Sequence, residues 1–130
     1  MNSRFINDLK VKHTDQLRGK KMVRVVILEQ SFGYYSELLK RSVIVPTGFS
    51  SDGASVPSVL HWMYHPFGRY LEAAVVHDWF CVMKQIDSVT AAKVFREAMA
   101  VCGVSKWRRA KMYFAVRWFG PQFKAKDNAQ

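Results

Sequence analysis

The sequence predicts an α+β domain, with a small N-terminal antiparallel strand pair packed on a three-helix core. Three observations predict it. Short runs rich in β-branched residues come early, at residues 22–30 and 42–45. From residue 69 onward the apolar positions recur at helical spacing. Cap and stop signals (Asp87-Ser88, Gly103, Ser105, Gly120-Pro121) then cut that region into three helices. Strands first and helices afterwards is the order of an α+β arrangement. A chain of 130 residues, 49% of them hydrophobic, suits one folded domain and is not disordered as a whole.

The elements follow in order. Residues 1–21 are polar and basic, with Lys10, Lys12, Arg18, Lys20 and Lys21 spread through them. They read as a basic arm, loosely tied to a globular domain over residues 22–120. Residues 22–30 read as a strand because β-branched side chains suit a pleated surface. Residues 31–41 are ambiguous, with Gly33 favouring a turn. Residues 42–45 form a second strand, stopped by Pro46 and Gly48. A loop punctuated by Gly48, Asp52, Gly53 and Pro57 follows, then a short helix over 58–64, broken at Pro66 and Gly68. Residues 69–83 form a helix. Leu71, Ala74, Val75 and Asp78 share one face, and Ala73, Val76, His77 and Phe80 form the adjoining stripe. Asp87 caps a helix running to Val101, with Val94, Phe95, Ala98 and Met99 inward and Gly103 at its end. Ser105 caps a last helix to Phe119, whose aromatics are expected to close the core while its charges face water. Residues 121–130 read as a frayed polar tail.

Two places invite a chemical reading. His77 and Asp78 are titratable residues inside an apolar helix, and burying them without partners is costly. A structural network accounts for such a pair; so does a site in which His77 activates water as general base and Asp78 offers oxygen to a hard cation. The loop Ser51-Asp52-Gly53-Ala54-Ser55 is an Asx-turn on the structural reading. On the functional one, Asp52, carbonyls near Gly53, and Asp78 form an oxygen cage for calcium. His61 and His65 share a helix face at i, i+4, but no third metal ligand accompanies them and Pro66 ends the turn. His13 is expected in solvent.

Formal net charge is +10, from 20 basic and 10 acidic residues, which favours an anionic partner: nucleic acid, a membrane surface or an acidic protein. Lys106, Arg108, Arg109, Lys111 and Arg117 on the last helix are the candidate contacts to an anionic surface. No apolar run is long enough to span a bilayer, and the first residues hold no signal core, so the chain is expected to remain where it is made. Cys81 and Cys102 are expected as reduced thiols, and no Cys/His cluster has zinc spacing.

Several segments carry a family resemblance: Val45-Pro46-Thr47-Gly48-Phe49, Ser51-Asp52-Gly53-Ala54-Ser55-Val56-Pro57, Pro66-Phe67-Gly68-Arg69-Tyr70, Ala73-Ala74-Val75-Val76-His77-Asp78, Phe95-Arg96-Glu97-Ala98-Met99 and Trp107-Arg108-Arg109. In this order they resemble a phage and prophage family catalogued as a domain of unknown function, number 1353. The resemblance implies phage origin. A more distant resemblance is to secreted prokaryotic phospholipases A2, and it implies phospholipase A2-like helices. It also implies His77 as general base, with Asp78, Asp52 and the Gly53 carbonyl holding Ca2+ against the developing oxyanion. Two positions depart from the lipase pattern. Cys81 stands where those enzymes have a Tyr, and Ala92 stands three residues before Phe95, where they have the Asp that orients the His. Asp87, at a helix cap, is poorly placed to replace it. A base without its orienting carboxylate loses tautomer control and imidazolium stabilisation.

The expected function is therefore a structural or assembly component of the virion, in tail or neck, on a lipase-like scaffold with a degenerate site. It would be made in the host cytoplasm and meet other virion proteins in multiple copies. Two rivals remain: an active calcium-dependent phospholipase A2-type esterase acting on the host envelope, and a basic nucleic-acid-binding or host-takeover factor.

Overall fold

The computed structural model describes residues 2–18, 20–51 and 71–126. The short helix expected over 58–64, and with it His61 and His65, lies outside them. Among the described residues the order is β1 (Arg4–Phe5), β2 (Val11–Arg18), β3 (Lys21–Leu28), β4 (Phe32–Ser36), β5 (Arg41–Val45), β6 (Ser50–Ser51), α1 (Leu71–Met83), α2 (Ser88–Val101) and α3 (Lys106–Phe119). The class is α+β, as the sequence predicts. The β part is larger than a strand pair: two three-stranded antiparallel sheets are ordered β1-β4-β5 and β2-β3-β6.

The first corrections concern the N-terminal region. Residues expected as an arm contribute two strands. β2 pairs with β3 along its whole length, from Val11 opposite Leu28 to Arg18 opposite Lys21. Its sequence is too polar to reveal this, because backbone pairing with a neighbour, rather than burial of its own side chains, holds it. The ambiguous stretch resolves as β4. Gly33 is not at a turn but in mid-strand opposite Ile44. A Cβ there would meet Ile6 Cδ1 at 3.0 Å and Ile44 Cδ1 at 3.1 Å, so glycine is what lets Ile6 lie across the strand.

Phe32 and Tyr34 of β4, with Val43 and Val45 of β5, form the sheet side of the core. α2 packs on β1 and β4, and sits between α1 and α3. Ala91, Ala92, Val94, Phe95, Ala98 and Met99 of α2 are all fully buried, which includes the inward set the spacing predicts. Asp87 caps this helix by accepting from Thr90 N at 2.8 Å, an interaction that also holds its carboxyl below the usual range. At the other end Gly103 turns with φ +85°. Val104 N donates to Met99 O and Gly103 N to Ala100 O, while Val104 is buried beneath. Ser105 caps α3 by accepting from Arg108 N.

Two further expectations change at the C-terminal end. Residues 122–126 are not frayed. Ser88 N donates to Phe123 O, Lys126 N donates to Lys84 O, and Gln122 Nε2 donates to the carbonyls of Arg117 and Gly120. Phe123 packs against the core. Most aromatics of α3 do not close the core either: Met112 and Val116 are its buried residues and Tyr113 packs partly buried against the core, while Trp107, Phe114, Trp118 and Phe119 are exposed.

Candidate functional site

α1 runs through the protein with Ala73 to Asp78 and Phe80 all buried. His77 and Asp78 are adjacent in sequence but about 100° apart around the helix. They therefore face different neighbours. His77 turns toward α2 and Asp78 toward β6.

His77 is 3% exposed. Its ring lies 5.0 Å from the ring of Phe95, tilted by 37°. One turn before Phe95, on the same face of α2, stands the fully buried Ala92. Burial in this setting pushes the imidazole pKa down to about 4, because removal from water disfavours the charged form. At neutral pH the ring is therefore neutral. Cys81, one turn further along α1, places its sulfur 3.8 Å from both ring nitrogens. An atom equidistant from both lies off the direction in which either nitrogen donates or accepts. The contact is thus soft packing of a thiol on an imidazole, and differs from the aligned thiolate–imidazolium pair of a cysteine nucleophile.

Asp78 is also buried, and its Oδ2 accepts a hydrogen bond from Ser51 Oγ. The position of Ser51 is set from the N-terminal sheet: Ser51 pairs with Val26, Ser50 pairs with Ile27, and Leu28 N donates to Phe49 O at 3.0 Å. Phe49 then packs edge-on against Trp79, at 5.3 Å, beside Asp78. Ser51→Ala removes a donor from a buried carboxylate, so it is expected to lower stability by about 1–2 kcal/mol, with Ser51→Thr costing less. Urea midpoints read this directly, and an unchanged midpoint in Ser51→Ala would show the bond to be immaterial.

A cleft of about 320 Å³ opens beside this pair. It is lined by Phe49, Ser51, Asp78, Cys81, Lys84 and Phe123, among others. Asp78 and Cys81 line it, so a carboxylate and a thiol of α1 border the cleft together with the amine of Lys84. Asp52 and Gly53, the expected partners of Asp78 around Ca2+, lie outside the described residues. Among the described residues no group of three His, Cys, Asp or Glu side chains is placed to hold a metal.

The remaining candidates are dispersed. Lys106, Arg108 and Lys111 are exposed on α3. Arg109 is half-buried, and its Nη1 donates to Val104 O at 2.8 Å, securing the end of α2. Arg117, also half-buried, reaches Gln122 Oε1 at 3.4 Å. His13 is exposed on β2. Cys81 and Cys102 are both thiols; burial pushes the latter up to about 12.

Sequence reasoning missed Glu97. Its Oε1 accepts from Tyr34 Oη at 2.6 Å and its Oε2 from Leu38 N at 2.9 Å, tying α2 to β4 and the turn after it. Burial, and then Glu97, push the Tyr34 phenol above its ordinary range. The signal was present only as an acidic residue flanked by buried positions in Phe95-Arg96-Glu97-Ala98-Met99.

Among similar proteins are two of Sinorhizobium fredii (strain NBRC 101917 / NGR234). "Uncharacterized protein y4jT" is 40% identical over 82 residues, covering 61% of this chain and 24% of that protein. "Uncharacterized protein y4iH" is 33% identical over 75 residues, covering 56% of this chain and 31% of that protein. The chain thus spans 24% and 31% of the length of these curated relatives. No solved structure matches. Residues 26–116, from β3 to the buried Val116 of α3, match the family described as "Protein of unknown function (DUF1353)", and the chain belongs to that family.

Proposed function

We propose that this chain is a phage- or prophage-encoded component of a virus particle, in tail or neck, on a phospholipase A2-like scaffold whose His-Asp pair serves the fold instead of turning over a substrate. One observation supports the non-catalytic part of the reading: the setting of His77. A general base is most effective when its pKa lies near the working pH and a carboxylate stabilises its protonated form. Burial takes His77 down to about 4, and its ring lies against Phe95. A ring that burial holds neutral is harder to protonate during turnover, which raises the barrier that a base is meant to lower.

The protein is accordingly expected to release no fatty acid from phosphatidylglycerol vesicles in millimolar calcium beyond the level of His77→Ala. It is also expected in purified particles by mass spectrometry. Calcium-dependent release abolished by His77→Ala would instead support an esterase, a reading favoured by the carboxylate of Asp78 on the cleft. Absence from purified particles would remove the particle assignment.

A further inference from the structure

The exposed face of α3 has no role in the core and none in the His77 region. Trp107 is 71% exposed, Phe114 56% and Trp118 63%. With Lys111 they follow i, i+4, i+7 and i+11, so all four fall within about 60° of arc. That stripe lies roughly 150° around the helix from the buried Met112 and Val116. α3 therefore has two apolar faces, one inside the protein and one in water. The rings are spread along about 16 Å of helix axis, side by side on a convex surface.

The charges around the stripe share one sign. α3 carries Lys106, Arg108, Arg109, Lys111 and Arg117 and no acidic residue. Two of these cations sit on the aromatic rings themselves: Lys111 Nζ is 4.8 Å from the Trp107 ring centre and Arg117 Cζ is 4.5 Å from that of Trp118. Ring and cation are thus presented together.

We infer that the Trp107–Lys111–Phe114–Trp118 stripe docks α3 in the plane of a membrane surface that bears anionic lipid. The stripe's charge excludes a second copy as its natural occupant, since two such faces would repel across a chain of net charge +10. Single-stranded nucleic acid stacks its bases on open ring faces, and here Lys111 and Arg117 cover faces of both indoles. A bilayer interface suits the arrangement. Indole and phenyl rings enter the boundary to a common depth, and the cations that accompany them meet lipid phosphates. α3 lies on such a surface without crossing it; among the described residues no helix is long and apolar enough to span a bilayer. The inference stands apart from the particle assignment, because it uses a different face of the molecule.

The test is vesicle co-sedimentation of the full chain. Binding to phosphatidylcholine vesicles containing phosphatidylglycerol is expected, with binding to pure phosphatidylcholine at least about tenfold weaker. Trp107→Ala/Phe114→Ala/Trp118→Ala is expected to lower binding to the anionic vesicles about tenfold or more, with an unchanged circular dichroism spectrum, because the three side chains are exposed. Lys111→Glu is expected to lower it several-fold, and more than Lys93→Glu, the same charge change at an exposed site on α2. Trp107→Phe/Trp118→Phe is expected to keep most binding while losing the blue shift of tryptophan emission. Equal binding by the triple variant, or no binding to anionic vesicles, would overturn the inference. So would a stripe-dependent affinity for oligonucleotide, or for a second copy, that exceeds the affinity for lipid.

Discussion

Acidification from about pH 7 to about pH 4 is expected to remove about 3 kcal/mol of folding stability through His77 alone. The folded ring has its pKa lowered to about 4 from an ordinary 6.5, by burial. As pH falls through 6.5, the unfolded chain takes up a proton that the folded chain refuses. Stability is therefore present in full above the unfolded value and is lost progressively as pH falls toward the folded one. Below the folded value both states are protonated and the loss stops growing. Carboxylates titrate in the lower part of the same window, so the contribution is read as a difference. Denaturant unfolding of the parent and of His77→Gln, compared across the window, should give curves that converge as pH falls. Parallel curves would mean that His77 is not held neutral by burial.

Glu97→Ala is the second large effect. The substitution removes both hydrogen bonds that its carboxylate accepts and takes from the buried Tyr34 hydroxyl its acceptor. Bonds to a charged group contribute about 1.5–3 kcal/mol each when one partner is lost, and some of that is recovered by water at the half-exposed end. The expected net loss is about 2–4 kcal/mol. Glu97→Gln keeps one acceptor and should lose about half as much. Tyr34→Phe combined with Glu97→Ala should cost less than the two single changes summed, because both remove the same bond. Additive losses would show that the carboxylate acts through something other than Tyr34. Guanidinium midpoints of the four proteins decide it.

Much of the helical half was legible because helices declare themselves locally. Asp87, Gly103 and Ser105 do in the structure what their residue types dictate at helix ends, and the apolar spacing of α2 placed Val94, Phe95, Ala98 and Met99 inside. The strands were harder. β2 is held by its partner β3, and no property of residues 11–18 taken alone declares that partnership. Gly33 read as a turn because its reason for being glycine, Ile6 lying across it, is a contact between segments distant in sequence. α3 was misread for a related cause. Its hydrophobic content was right for a core helix, but Met112 and Val116, with Tyr113 partly buried, form its inner face, and four larger rings are left outside.

The site divides the same way. That His77 and Asp78 would be buried followed from the periodicity of one helix, and the structure buries both. That they would look in different directions followed from helical geometry. What each would see did not follow, because Phe95 and Ser51 reach them from other elements. The aromatic stripe was present in the spacing of Trp107, Lys111, Phe114 and Trp118. It became visible only when the opposite face was seen to be the buried one.

Strand β6 is only two residues long, yet it decides which of two neighbouring serines meets Asp78. Alternate residues of a strand point to opposite faces, so its register against Val26 and Ile27 works as a selector. Lengthening or shortening the chain by one residue between β5 and β6 would bring Ser50 to the carboxylate if the pairing slid, or leave the register intact if the turn at Gly48 absorbed the change. The few residues leading to Ser51 therefore act as a measured spacer: their count, as much as their identity, determines which hydroxyl reaches the buried carboxylate.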